Sequence, residues 1–215
     1  MRRLIALLLL ALPVAAPAQF YSYPSFQPPR ITLREYNFAF ADGHDGGTTL
    51  LFQWREGMNE RMHVQLDVGF ADPSVANADA RFVIGGTVAR GLKLATDEMP
   101  LDMAITGGIG GSFGGGESFL RLPVGLTVGH RFKLDSPFTL TPYAHPRLTL
   151  DFCSHCGPAR RHDTTLGVDV DLGVSAELSN SFGLRASYLF GGSDFFGKGN
   201  AFGASVVWTP LGLSK

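Results

Sequence analysis

The sequence is poor in charge, in cysteine and, beyond its first residues, in long apolar runs. Lys, Arg, Asp and Glu make up 17% of the 215 residues, whereas roughly a quarter is typical of a soluble domain. The net charge of −1 leaves no basic excess, so no nucleic-acid partner is expected. After residue 18 no apolar run reaches the roughly 18 residues that a transmembrane helix needs.

The N-terminus has the three-part layout of a secretory signal peptide. Arg2 and Arg3 precede an apolar run over residues 4–12, and Ala16-Pro17-Ala18 supplies an A-x-A-like cleavage site. This layout predicts a signal peptide over residues 1–18 and an exported chain. Neither of the two cysteines follows the cleavage site directly, so a lipid anchor there is not expected.

A period-two alternation of apolar and polar residues follows along nearly all of the remaining chain. In 166–178, for example, Leu166, Val168 and Val170 share one face of a strand, while Asp169 and Asp171 share the other. A helix would mix these residues around its axis. Ten such segments are predicted, over 31–42, 47–56, 61–72, 78–91, 100–112, 117–134, 138–152, 163–178, 181–191 and 199–209.

These segments predict an all-β protein, an antiparallel up-and-down transmembrane β-barrel of about ten strands. The predicted organisation is a signal peptide (1–18), an extended Pro-rich leader (19–30), a barrel domain (31–209) and a C-terminal tail (210–215). Pro123, Pro142 and Pro146 lie inside the sixth and seventh segments, where proline removes a ladder hydrogen bond. They mark bulges or an open seam, or they break those segments and leave eight strands.

The face opposite the apolar one carries nearly all the charge within the strands. In a closed barrel this face lines the lumen, where acids and arginines are expected to pair in a narrow, side-chain-filled interior. The predicted lumen network comprises Glu35, Arg55, Asp67, Arg81, Asp102, Arg121, Arg131, Arg147, Asp151, Asp169, Asp171, Glu177 and Arg185.

Connections and aromatic residues predict which side of the wall faces lipid. Short turns alternate with longer joins, as in outer-membrane barrels whose short turns are periplasmic. Two aromatic belts are predicted at the rims, as expected where rings meet lipid headgroups. The outer belt is Phe40, Phe70, Phe152, Phe190 and Phe202, and the periplasmic belt is Trp54, Phe132, Phe138, Phe182 and Trp208.

With its signal peptide, alternating strands, aromatic belts and closing segment N-A-F-G-A-S-V-V-W, the chain resembles the small outer-membrane β-barrel proteins of Gram-negative-type bacteria. The resemblance implies an outer-membrane location, with outer-membrane lipids and lipopolysaccharide as surroundings. It also implies that the barrel-assembly machinery recognises the last strand through Phe202, Val206 and Trp208. Seven residues follow Trp208, which departs from the family pattern of a terminal aromatic residue.

Cys153 and Cys156 are the only cysteines. In an oxidising, exported setting we expect them to form a disulfide. The lesser alternative is a zinc site that uses both thiolates with His155 and His162. The preferred reading therefore has no metal and no cofactor.

Two groups of residues contain the residue types of a hydrolase site, namely His44 with Asp45, and Ser154 with His155 and Asp163. No nucleophile motif such as G-x-S-x-G accompanies either group. Arg160 and Arg161 are candidates for contact with lipopolysaccharide phosphates, or they are simply solvated.

The sequence thus favours a non-enzymatic outer-membrane barrel that stabilises the envelope or passes small solutes slowly. One alternative is an outer-membrane lipid-modifying hydrolase of the lipid A deacylase type. The other is a secreted, soluble lipocalin-like barrel whose apolar face points inward around a small ligand. Alternation alone does not decide which face is inside.

Overall fold

The computed structural model describes residues 23–43, 47–72, 79–93, 95–96, 100–134, 137–156, 161–192 and 199–210. Within these ranges the regular elements are all strands, and no helix is long and apolar enough to cross a membrane. The predicted signal peptide, His44, Asp45 and Arg160 lie outside the described residues, as do residues 211–215 of the predicted tail.

Eleven strands are present in the described part of the chain. They are β1 (Arg34–Gly43), β2 (Gly47–Asn59), β3 (Met62–Asp72), β4 (Arg81–Lys93), β5 (Asp102–Gly114), β6 (Glu117–Gly129), β7 (Phe132–Lys133), β8 (Thr139–Cys156), β9 (Arg161–Glu177), β10 (Phe182–Gly192) and β11 (Ala201–Trp208).

Ten long strands close into a barrel. Successive long strands pair antiparallel, β6 pairs with β8, and β1 pairs with β11 to complete the circle. The two-residue β7 only extends the edge of β8 beside β6. The predicted closed antiparallel barrel of ten strands is therefore confirmed, and the eight-strand alternative is wrong.

The prolines interrupt ladders without shifting their register. The β5–β6 ladder lacks pairs where residues 108–109 face 122–123, and the β6–β8 ladder lacks them where 126–127 face 145–146. Pro123 still pairs with Thr149, and Pro146 with Val170, across their other edges. Because proline has no N–H, each breaks one ladder and stays within its strand. Together they form an open seam rather than a bulge.

The apolar face of each strand points outward. In β11 burial alternates strictly, so that Phe202, Val206 and Trp208 are exposed while Ser205 and Val207 are buried. Charged and hydroxyl-bearing side chains fill the interior instead, among them Glu35, Arg55 and Asp171. An outward apolar face with an inward polar one is the arrangement of a transmembrane barrel. The lipocalin-like alternative, which needs the opposite arrangement, is wrong.

We call the end of the barrel where β1 begins and β11 ends the terminal rim, and the other end the distal rim. Most belt residues are exposed, and Phe138 and Phe152 are half-buried. Turn lengths separate the rims less clearly than predicted. A two-residue turn, Gly115–Gly116, lies at the distal rim, and eight residues (94–101) join β4 to β5 at the terminal rim.

Candidate functional site

The described part of the predicted leader, residues 23–30, lies inside the barrel. Residues 23–33 precede β1, and Phe26 is fully buried against Ala39 and Leu51 of the lumen wall. Three prolines, at 24, 28 and 29, remove backbone donors and hold the segment extended. We call residues 23–30 the lumen segment. The sequence predicted its extended form but not its position in the lumen.

The lumen segment enters at the terminal rim and runs toward the distal rim. The carbonyl of Leu33 accepts a 2.7 Å hydrogen bond from the backbone N–H of Gly57, near the end of β2. Further in, Thr127 Oγ1 donates to the Gln27 carbonyl at 2.8 Å. At its far end, the Tyr23 hydroxyl donates to Asp67 at 3.3 Å, halfway along β3.

A buried ion cluster holds the segment at Phe26. Glu35 accepts from Arg55 at 2.6 Å and from both terminal nitrogens of Arg185 at 2.6 and 2.7 Å. Arg55 Nη2 also donates to the Phe26 carbonyl at 2.7 Å. Phe26 has a positive φ of 50°, which costs a non-glycine residue about 1–2 kcal/mol. Burial of its ring and the bond from Arg55 offset that cost.

Beyond this cluster, Ser25 joins the segment to β8 and β9. Its Oγ donates to Asp171 Oδ2 at 2.5 Å and lies 2.8 Å from His145 Nδ1, while its backbone N–H donates to the same carboxylate at 3.2 Å. Asp171 also accepts from Arg147 at 3.1 Å. The other imidazole nitrogen of His145 lies 2.8 Å from Thr106 Oγ1. The serine thus completes a hydrogen-bonded chain across the lumen.

The remaining predicted charges line the wall above and below the segment. Toward the distal rim, Arg121 pairs with Asp151 at 2.7 Å and with Asp169 at 3.0 Å. Near the terminal rim, Glu177 pairs with Arg131 at 2.7 Å and with Arg30 of the lumen segment. Opposite charges in contact inside the barrel offset the cost of removing them from water.

In the described ranges, three residues of the predicted network do not pair with another charge of that network. Asp67 accepts from Gln65 Nε2 at 2.7 Å and from Tyr23, not from an arginine. Asp102 accepts from the backbone N–H of Ala95 at the terminal rim. Arg81 pairs at 2.5 Å with Glu117, an acid outside the predicted network. Glu117 lies on the same face of β6 as Arg121, so the period-two pattern could have placed it in the lumen.

A cavity of about 100 Å³ lies beside the lumen segment. The segment forms one side, through Tyr23, Ser25 and Gln27, and the wall of β3–β6 and β8 forms the other. Glycines of β4 and β5 make room for it: a Cβ on Gly110 would meet no heavy atom closer than 3.8 Å. The interrupted β5–β6 ladder at Pro123 borders the same space.

Three buried polar atoms of residues around this cavity make no hydrogen bond within the described part of the protein. They are Gln27 Oε1, Ser112 Oγ and Arg147 Nε. Buried polar groups of native proteins are normally satisfied by protein or by water. The cavity is therefore lined in part by polar groups that would be satisfied by water or by a polar solute.

The described residues predicted for hydrolase or zinc chemistry lie together near the distal rim. Ser154 Oγ lies 3.0 Å from His155 Nδ1 and 3.2 Å from His162 Nδ1, all near the distal rim. The nearby Asp163 carboxylate accepts from the Thr164 N–H. Cys153 is disulfide-bonded, but its pairing with Cys156 stays a prediction because the Cys156 side chain is not among those described.

No protein-family model and no curated protein matches the chain. Among solved structures, the beta domain of the Bordetella autotransporter Brka matches with a TM-score of 0.53 and 13% identity, over 82% of this chain and 99% of that one. The KdgM porin in complex with disordered oligogalacturonate gives 0.42 and 9%, over 82% and 99%. OmpT, an outer membrane protein of Vibrio cholerae, gives 0.34 and 11%, over 89% and 71%. The first of these likenesses supports the fold.

Proposed function

We propose that this protein is a non-enzymatic, integral outer-membrane β-barrel that passes small solutes slowly beside its own lumen segment. The proposal rests on the observation that the lumen segment occupies the barrel interior. Residues 23–30 are hydrogen-bonded to a charged wall and leave a cavity of about 100 Å³ at their side. A lumen filled in this way is far narrower than the water-filled channel of a large porin.

Three features support the outer membrane as its location. The exposed face of the strands is apolar, the aromatic residues gather at two rims, and the sequence begins with a predicted signal peptide. In the predicted orientation, the terminal rim faces the periplasm. Migration on an SDS gel tests the barrel in the membrane: the folded form should resist SDS and change its mobility on boiling.

Slow passage is supported by the polar lining of the space beside the segment. Gln27, Ser112 and Arg147 each offer a donor or acceptor there that has no partner in the described ranges of the chain. Water or a small hydrophilic solute would satisfy these groups, whereas an apolar solute would leave them unpaired at a cost of about 1–3 kcal/mol each. The expected permeants are therefore small and hydrophilic.

Conductance across planar lipid bilayers tests the route. We expect a small single-channel conductance for the wild type and a smaller one for Gly110→Leu, because that side chain enters the cavity. Gly86→Leu is the matched control: Gly86 lies on the outward face of β4 between the exposed Ile84 and Val88, outside the residues that line the cavity, and a Cβ there would meet no heavy atom closer than 3.6 Å. Equal conductance in the two variants would show that solutes do not use this cavity. No conductance in the wild type would remove solute passage from the proposal and leave an envelope-structural role.

The lipid-modifying hydrolase is not our proposal. In the described part of the chain, Ser154 lies between two imidazoles, but no hydrogen bond joins either ring to a carboxylate. A serine nucleophile requires a base that a third group orients. If Ser154→Ala changed the lipid A acylation pattern of host cells, this choice would be wrong.

A further inference from the structure

Two histidines face each other across the hairpin of β8 and β9 at the distal rim. The ladder pairs Cys153 with Asp163 and Cys156 with Arg161, and the register shifts between these pairs. Ser154 and His155 therefore lie together opposite His162. Their ring centroids are 5.2 Å apart, with 65° between the ring planes. Both side chains are exposed.

The two imidazoles direct the same ring nitrogen to one point. Nδ1 of His155 and Nδ1 of His162 lie 3.0 and 3.2 Å from the hydroxyl oxygen of Ser154. A hydroxyl has a single proton to donate, so it serves two such nitrogens only when one of them is itself protonated. If both carry lone pairs, one is left without a donor.

A metal ion would use both lone pairs, and the spacing of the rings suits one. A Zn–N bond is about 2.0–2.1 Å, and a ring nitrogen lies roughly 1.1 Å from the centre of its ring. At a tetrahedral angle, two coordinated imidazoles would then have ring centroids about 5.2 Å apart. The observed separation of 5.2 Å needs little adjustment beyond a small movement of the Ser154 hydroxyl.

We propose that His155 and His162 bind a divalent zinc ion at the distal rim, with water or a hydroxyl group in the remaining positions. Imidazole nitrogen favours borderline ions such as Zn²⁺ over Mg²⁺ or Ca²⁺. Thiolate ligation by Cys153 is excluded because its sulfur is in a disulfide. No group of three or more His, Cys, Asp or Glu suited to a metal occurs in the described ranges, so the protein supplies the two imidazoles alone.

The open coordination positions have room beside them. A groove of about 700 Å³ on the distal side is lined by Ser154, His162 and Asp163 together with the aromatic residues Phe113 and Phe152. Two protein ligands leave a tetrahedral ion with two exchangeable positions, so the site would take up and release zinc readily.

Calorimetric titration of the folded, detergent-solubilised protein with Zn²⁺, without any histidine tag, tests the site. We expect one ion per chain with a micromolar dissociation constant, and affinity at least about tenfold weaker in both His155→Asn and His162→Asn. His130→Asn is the matched control, since His130 lies near the terminal rim against Phe132 and its loss should leave zinc binding unchanged.

Two results would overturn the proposal. One is a wild-type protein that binds no zinc up to millimolar concentration. The other is zinc binding that survives both variants. The mobility shift on boiling, measured for each variant, shows that weaker binding does not come from a failure to fold.

Discussion

Ser25 and Asp171 are 146 positions apart in the sequence, yet the serine hydroxyl donates a 2.5 Å hydrogen bond to the aspartate carboxylate in the middle of the lumen. The backbone N–H of Ser25 donates to the same carboxylate oxygen. One residue of the lumen segment therefore supplies two donors to a charge that is fully buried.

Replacing Ser25 with alanine should lower the free energy of unfolding by about 1–3 kcal/mol, because a buried carboxylate loses a hydrogen bond. Ser112→Ala is the control, since the Ser112 hydroxyl is also buried but has no hydrogen-bond partner among the described residues, and it should cost little. Urea-driven unfolding in phospholipid vesicles measures both values. Equal effects of the two substitutions would mean that Ser25 does not bind Asp171.

Removing Arg185 should destabilise the barrel strongly. Arg185→Met leaves the buried Glu35 carboxylate with Arg55 as its remaining arginine partner, and breaking a buried pair costs about 3–5 kcal/mol. For comparison, Arg34→Met removes a largely exposed pair with Glu56, which should cost less than about 1 kcal/mol. The same unfolding experiment checks the difference, and a loss below that of Arg34→Met would contradict the burial of this cluster.

Loss of the Phe26 ring should widen the route through the barrel. The ring is fully buried in the lumen, so Phe26→Ala loosens the lumen segment and should raise single-channel conductance above that of the wild type. Phe40→Ala removes an equal ring from the exposed outer face and should leave conductance unchanged. If Phe26→Ala conducts like the wild type, the lumen segment is not what restricts passage.

Gly173 should not tolerate a side chain. A Cβ built there would lie 2.3 Å from Cζ of Tyr143, whose ring covers this glycine on the neighbouring strand. Gly173→Ala therefore forces the ring or the strand to shift, which should cost about 1–3 kcal/mol. Gly107→Ala meets no heavy atom within 4 Å and serves as the control in the unfolding assay, where an equal cost would contradict this packing.

The strands and the faces of their side chains were predictable because each depends on a local period of two. Asp169 and Asp171 could be placed opposite Val168 and Val170 from neighbouring residues alone. Closure of the barrel was also predictable, because an even number of strands lets the first and last pair antiparallel. Pro123 and Pro146 left eight strands as an alternative, but each lacks a donor toward only one neighbouring strand and stays within its strand.

The lumen segment could not be placed in this way. Its prolines favour an extended chain equally in solvent and inside a barrel. Its position depends on matches between distant residues, such as Ser25 with Asp171 and Phe26 with Gly203, where a Cβ would come within 2.5 Å of the ring. The inward position of Glu117 could be predicted from the face of β6, but its pairing with Arg81 could not, because the two residues lie on β6 and β4 with β5 between them.

The sequence by itself determined that the chain forms antiparallel strands with one apolar and one charged face, because side chains alternate along a strand whatever surrounds it. Only the tertiary structure decided which face is enclosed, what occupies the lumen, and which donor meets which acceptor. Those outcomes depend on barrel closure, which brings together residues more than a hundred positions apart and buries charges that the lumen segment and the arginines must then satisfy.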